Sequence, residues 1–438
     1  MMPAPEIIGG LGILAMLVLL AMGVHISITL ATVGFTGAVA FLGFSKSLSI
    51  LATTPFHTTA NYTLIILPLF ILMGEFAFQG GLGTLMYTAA SKWLGQVYGG
   101  LAMATTAAAA LFSAITGSSL ATAATFGKVA VPEMMRLKYD RKLACGVVAA
   151  SGSMAALIPP SGMMVLYVIL TGVSLSRLLI AGVIPGFLSA LIYMTMIYFR
   201  VRFNPSLGPR LPHVISWKEK LFAVRWLVPV AIIVLVMLGG LYVGVFSPIE
   251  AGAIGALAVF IVVLARRSLP LSALITSLAN SVRTSSMILF IIIGAMIFSK
   301  FIALSRLPDA LLMFVESLAV PPIVILVTIL LIYTVLGTFV DVVAMLALTL
   351  PIFFPLLDGL GFNEIWIGIL IIKMVEVAVI TPPIGLNVYV VKGVVGDIIT
   401  LGDLFRGIWP FVLMDILTLV ILVVFPQISL WLPSMMFE

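Results

Sequence analysis

Stretches of about twenty apolar residues recur along almost the whole chain, and only 9% of its 438 residues are charged. Soluble domains carry roughly 25% charged residues. A chain this apolar has no means of covering a water-facing surface, so lipid is its solvent. In lipid every backbone N–H and C=O needs an internal partner, which leaves helices or a closed barrel. The apolar runs have the length of spanning helices, roughly 20 residues for a hydrocarbon core about 30 Å thick. The expectation is an all-α polytopic membrane protein. The net charge of +6 reads as a topology signal, because the basic residues sit between apolar runs. A single cysteine, Cys145, excludes an internal disulfide and a cysteine metal cluster. The first run lacks a basic n-region and a small-residue cleavage site, so it reads as a retained span.

Five spans are expected in the first half, at 6–22, 25–44, 63–90, 142–172 and 176–200. The second half gives 221–242, 245–266, 285–304, 363–394 and 407–430. Segments 98–135 and 319–357 are too long for one span and carry Gly, Ser or Thr near their middles. They read as re-entrant helical hairpins, with their non-helical tips covered by protein or a watery cavity. The more polar segments 46–62 and 268–284 read as interfacial amphipathic helices. With the N-terminus outside, only Lys46, Arg177, Lys300 and Arg306 fall on the outer side and Lys373 inside a span. The other Lys and Arg residues lie inward, as the positive-inside rule requires. Both termini then lie on the outer side of the membrane.

Four short matches recur in the same order. Leu69–Gly74 matches Leu289–Gly294 and Gly117-Ser118 matches Gly337-Thr338, both at an offset of 220 residues. Pro159-Pro160-Ser161-Gly162 matches Pro382-Pro383-Ile384-Gly385 at 223, and Gly34-x-x-Gly37 matches Gly252-x-x-Gly255 at 218. Five spans per copy is an odd number, so the second copy is expected upside down. The organisation expected is a first repeat at 1–203, a connecting loop at 204–220 and a second repeat at 221–438. Paired interrupted helices in inverted repeats are the mark of secondary transporters, with sites near the bilayer midplane.

At the hairpin tips, helix N-termini suit an anion and exposed carbonyls suit Na⁺. Ser118, Ser119 and Thr338 add hydroxyl oxygens, and glycine permits close backbone approach. The Pro-Pro pairs remove backbone donors within Ser151–Gly162 and Ile380–Asn387, freeing carbonyls there. Helix packing through small residues is the competing explanation for each tip taken singly. Asp341 is the foremost intramembrane ionisable candidate, as a cation ligand or a polar contact to substrate. Lys373 and Glu376 read as a local ion pair, while Glu75 and Asp415 are undecided between helix glue and function. Neither His25 nor His57 nor His213 is placed to serve a buried serine, and no His-Glu-x-x-His occurs, so an enzyme is not expected.

Gly117-Ser118-Ser119 with Ala121, Ala124 and Gly127, the Ser151–Gly162 break, Gly337–Asp341 and Thr381–Asn387 together resemble the large, DctM-like membrane subunit of TRAP transporters. The likeness covers essentially the whole chain. It implies an elevator-type secondary transporter importing an organic acid anion by Na⁺ symport. It further implies a small four-helix membrane partner, expected here as a separate chain, and a periplasmic substrate-binding protein. By the same resemblance, one Na⁺ site uses Ser118 with Gly152, Ser153 and Pro159. A second uses Gly337, Thr338, Thr381 and Pro383. Ser119 and Asp341 would contact substrate between the tips, flanked by Gly117 and Phe339. The alternative is a stand-alone ion-coupled carboxylate carrier that needs no binding protein.

Overall fold

A computed structural model describes residues 4–211, 215–318 and 320–436; His213 and Ala319 therefore lie outside the described residues. Among those described, every regular element is helical. Helices α1 (Pro5–Ala21), α2 (Ile26–Leu42) and α3 (Phe44–Thr59) open the chain. A 3₁₀ turn leads into α4 (Ile66–Gln79), followed by α5 (Leu82–Leu94). The first hairpin is α6 (Gly100–Thr116) and α7 (Ser119–Arg136), and the first broken helix is α8 (Arg141–Ser153) and α9 (Gly162–Thr171). Then come α10 (Leu175–Phe203), α11 (Trp217–Val224), α12 (Val228–Val243) and α13 (Pro248–Ala265). Helix α14 (Leu271–Leu304) precedes α15 (Leu307–Ser317). The second hairpin is α16 (Pro322–Phe339) and α17 (Val342–Gly359), and the second broken helix is α18 (Glu364–Ala378) and α19 (Leu386–Val395). Helices α20 (Leu401–Val424) and α21 (Gln427–Ser434) end the described chain.

Among the described residues, seven helices are long and apolar enough to cross a bilayer, or eight if the pair α11 and α12, bent by 46°, is one span. Both arms of the second hairpin are among the seven. The expected first two spans appear as α1 and α2, 17 residues each, or about 25 Å at 1.5 Å per residue.

Two boundaries differ from expectation. The run 63–90 is two helices, because Gly80-Gly81 ends α4 and Gly81 adopts a left-handed φ of +68°. Conversely, the supposed interfacial segment 268–284 and span 285–304 form one 34-residue helix, α14. No Gly or Pro interrupts its first two-thirds, and two of its serines bond back to the helix's own carbonyls. Ser277 Oγ donates to the Ala273 carbonyl at 2.9 Å and Ser281 Oγ to that of Ser277 at 2.7 Å.

Packing exchanges elements between the two halves. Helix α2 packs on α14 while α13 packs on α4, and α7 packs on α19 while α17 packs on α9. The α2–α14 contact is backbone to backbone. A Cβ on Gly34 would stand 2.7 Å from the Phe298 nitrogen, and one on Gly294 would stand 2.5 Å from the Ser27 carbonyl oxygen. Small residues that let backbones touch are how helices associate in lipid, where hydrophobic attraction between them is absent. Glu75 of α4 accepts a hydrogen bond from Asn280 of α14 at 3.2 Å, which makes it glue between helices.

Candidate functional site

Two hairpin tips and two helix breaks meet at one cavity of about 400 Å³. At the first tip Gly117 takes φ +56° and ends α6, the left-handed stop that glycine adopts without a Cβ penalty. Ser118 is extended, and its Oγ caps α7 by accepting the Ala121 N–H at 3.3 Å. At the second tip Val340 is extended after α16, and Asp341 caps α17. Its Oδ2 accepts the Val343 and Ala344 N–H groups at 3.0 and 3.4 Å. Short polar side chains at this position satisfy N–H groups that a helix start leaves orphaned.

The first break repeats this construction, while the second starts its helix without a side-chain cap. Ser161 Oγ accepts the Met163 N–H at 3.2 Å at the start of α9 and donates to the Ala156 carbonyl at 2.5 Å. Gly385, at φ +54°, stands before α19. The first residues of all four helices, Ser119, Val342, Gly162 and Leu386, line the same cavity. Each helix start carries roughly half a positive elementary charge. The convergence makes a pocket for negative charge whose lining holds no Lys or Arg; its charged or titratable side chains are His25 and Asp341. Its far wall is apolar, formed by Leu67 and Ile71 of α4 and by Met287, Ile288 and Ile291 of α14. Such a chamber suits a small organic anion.

The expected substrate contacts Gly117, Ser119 and Asp341 all line this cavity, as does Ser118. Phe339 does not; it ends α16 and is 66% exposed. The first cation set is brought together. A Cβ on Gly117 would lie 2.6 Å from the Pro160 carbonyl oxygen, and one on Gly152 would lie 3.1 Å from that of Ser119. Pro159 is buried in the same break, and Ser153 Oγ donates to the Ala150 carbonyl at 2.7 Å. In the second set, Gly337 and Thr338 remain in the last turn of α16 rather than in the tip. Gly337 packs on Ala378 at the end of α18, three residues before Thr381. Thr338 Oγ1 donates to the Val335 carbonyl and Thr381 Oγ1 to that of Val377, each at 2.7 Å. Pro383 is exposed. No group of three His, Cys, Asp or Glu side chains able to hold a metal lies among the described residues. The oxygen donors at both breaks are hydroxyls and backbone carbonyls, the set that suits Na⁺.

Two features escaped the sequence reading. Thr122 Oγ1 donates to the Ser118 carbonyl at 2.9 Å and lies 3.2 Å from Thr116 Oγ1, bracing the first tip from behind. Asn387 is fully buried; its Nδ2 donates to the Ala149 carbonyl at 3.1 Å, while its Oδ1 has no partner. A polar amide directly after a Pro-Pro-Ile-Gly-Leu break was the available signal.

Comparison with known proteins matches residues 13–428 to a family model described as the tripartite ATP-independent periplasmic transporter, DctM component. A C4-dicarboxylate TRAP transporter large permease protein of Pseudomonas aeruginosa is 35% identical, covering 92% of this chain and 94% of the relative. The sialic acid TRAP transporter large permease of Vibrio cholerae is 32% identical, covering 86% and 87%. An isethionate permease of Oleidesulfovibrio alaskensis, DctMQ, is 28% identical over 94% of this chain and 64% of its own length. Among solved structures, the Alcanivorax borkumensis YdaH transporter aligns with a TM-score of 0.63 at 17% identity, over 87% of this chain and 89% of that one. That likeness concerns the fold.

Proposed function

The chain belongs to the DctM component family of tripartite ATP-independent periplasmic transporters, and from that premise we propose that this multi-pass membrane protein imports an organic acid anion by Na⁺ symport. A periplasmic binding protein delivers the anion, and a small membrane subunit holds the permease. The observation that carries this reading is the convergence of four helix N-termini, two from each half, on one cavity.

The anion sits between the tips, with Ser119 and the α7 and α17 N-termini holding its carboxylate. Sodium binds where each tip touches its break, through the Gly117–Pro160 and Gly152–Ser119 approaches in one half and beside Gly337, Thr338 and Thr381 in the other. Bound cation orders the tip, so the anion binds well only beside it, and the coupling is reciprocal. The two halves act as inverted repeats. Hairpins and broken helices move as one unit against a scaffold that includes α4 and α14, whose side chains form the apolar wall.

Proteoliposomes holding both membrane subunits and supplied with binding protein test this. Uptake should require an inward Na⁺ gradient and the binding protein. Uptake driven by ATP would refute the coupling, and uptake at full rate without binding protein would make the chain a stand-alone carrier. Thermal-shift screening of the binding protein against organic acids identifies the anion.

A further inference from the structure

Away from the cavity, Lys373 and Glu376 of α18 meet Asp415 of α20 and Ser189 and Tyr193 of α10, all fully buried. The Lys373 ammonium donates to Glu376 Oε2 at 3.0 Å, Asp415 Oδ1 at 2.7 Å and Ser189 Oγ at 3.0 Å. An ammonium has three donors, and these are all used. Glu376 Oε1 and Asp415 Oδ2 make no close hydrogen bond, and the Tyr193 hydroxyl lies beside Asp415 and Ser153.

We propose that this cluster is a proton-binding site: one proton, held between Glu376 and Asp415, balances the second carboxylate that Lys373 does not neutralise. One cation and two carboxylates leave a net charge of −1, and an unpaired buried charge is costly in protein and more so in lipid. The groups facing the cluster offer no other compensation. Tyr193 and, beside it, Ser153 at the end of α8 are neutral. Helices α6, α9, α12, α16 and α21, which pack on α10 or α18, carry no charged side chain, and α17, which packs on α18, carries only Asp358, a further acid. On α8 the charged residues are Arg141 and Lys142 of its first turn, and Lys142 pairs with Asp403 at 3.3 Å. Lys392 of α19 pairs with Asp397.

A metal ion in place of the proton would need several oxygen ligands and room to hold them. Here Tyr193 instead packs edge-on against Phe411, with ring centroids 5.2 Å apart. A proton needs no cavity, and it turns an unpartnered carboxylate oxygen into a donor. The site is independent of which anion the protein carries.

Infrared difference spectroscopy on the full chain in liposomes tests the proposal. Native protein at neutral pH should show the carbonyl stretch of a protonated carboxylic acid, shifting in D₂O. Glu376→Gln and Asp415→Asn each leave one carboxylate for Lys373, so each should abolish the band completely while the protein stays folded and monodisperse. Absence of the band from native protein would overturn the assignment, as would its survival in either folded variant. Loss of the native band on adding NaCl at constant pH would instead assign the site to Na⁺. Because no transport is measured, failure here leaves the symport reading to its own test.

Discussion

The carbonyl oxygen of Pro160 stands 2.6 Å from the point where a side chain on Gly117 would begin. The tip of the first hairpin is thereby seated in the break of the first broken helix, backbone against backbone. Gly117 also holds φ +56°, a conformation costing other residues about 1–2 kcal/mol. Gly117→Ala is expected to lower Na⁺-driven uptake at least about tenfold, since each 1.4 kcal/mol is a factor of ten. Gly10→Ala, where nothing lies within 4 Å of the new methyl, should leave uptake unchanged. Equal uptake by both variants would show that the seating is not needed.

Asp341 separates capping from charge. Asp341→Asn keeps an oxygen for the Val343 and Ala344 N–H groups and should retain the native melting temperature, whereas Asp341→Ala should lose about 1 kcal/mol. Uptake should fall in both, because the carboxylate also faces the cavity. Full uptake by Asp341→Asn would confine the residue to its capping role.

Asn387 ties α19 to α8 across the second break. Asn387→Ala leaves the Ala149 carbonyl without that donor and should cost about 1–3 kcal/mol, measured by thermal unfolding in detergent. The Na⁺ concentration for half-maximal uptake should rise with it. An unchanged Na⁺ dependence would place Asn387 outside the cation site.

Tyr139 lies in the turn between α7 and α8, where its hydroxyl accepts the Leu101 N–H at 3.2 Å. Burial pushes its phenol up to about 12, so the folded state holds the proton more tightly than the unfolded chain. Its contribution is complete below about pH 10, the ordinary tyrosine value, and is lost as pH rises from there through about 12. The melting-temperature gap between native protein and Tyr139→Phe should therefore narrow across that window. A gap that stays constant would contradict the assignment.

Much of the site was legible because the residues that break helices are few and distinctive. Gly117-Ser118 marks the first tip, and each Pro-Pro pair marks a broken helix. The second tip was read across Val335–Asp341, and the turn falls at the end of that range because Gly337 stays helical. Its missing side chain serves packing on Ala378, and the turn comes at Val340-Asp341, where a β-branched residue and a capping aspartate coincide. The Lys373–Glu376 pair was visible as neighbours one helical turn apart. Asp415 and Ser189 were not, being 42 and 184 residues away in sequence. Long-range closure of that kind leaves no local pattern.

The convergence of the two tips on one anion chamber is tested most directly by cross-linking. In a Cys145→Ala background, Ser119→Cys and Val342→Cys place one thiol at the start of α7 and one at the start of α17. A short bifunctional thiol reagent should link them, and Na⁺ together with the transported anion should suppress the reaction. If each thiol reacts with a monofunctional reagent yet the pair never cross-links, the tips do not share a chamber and the account fails.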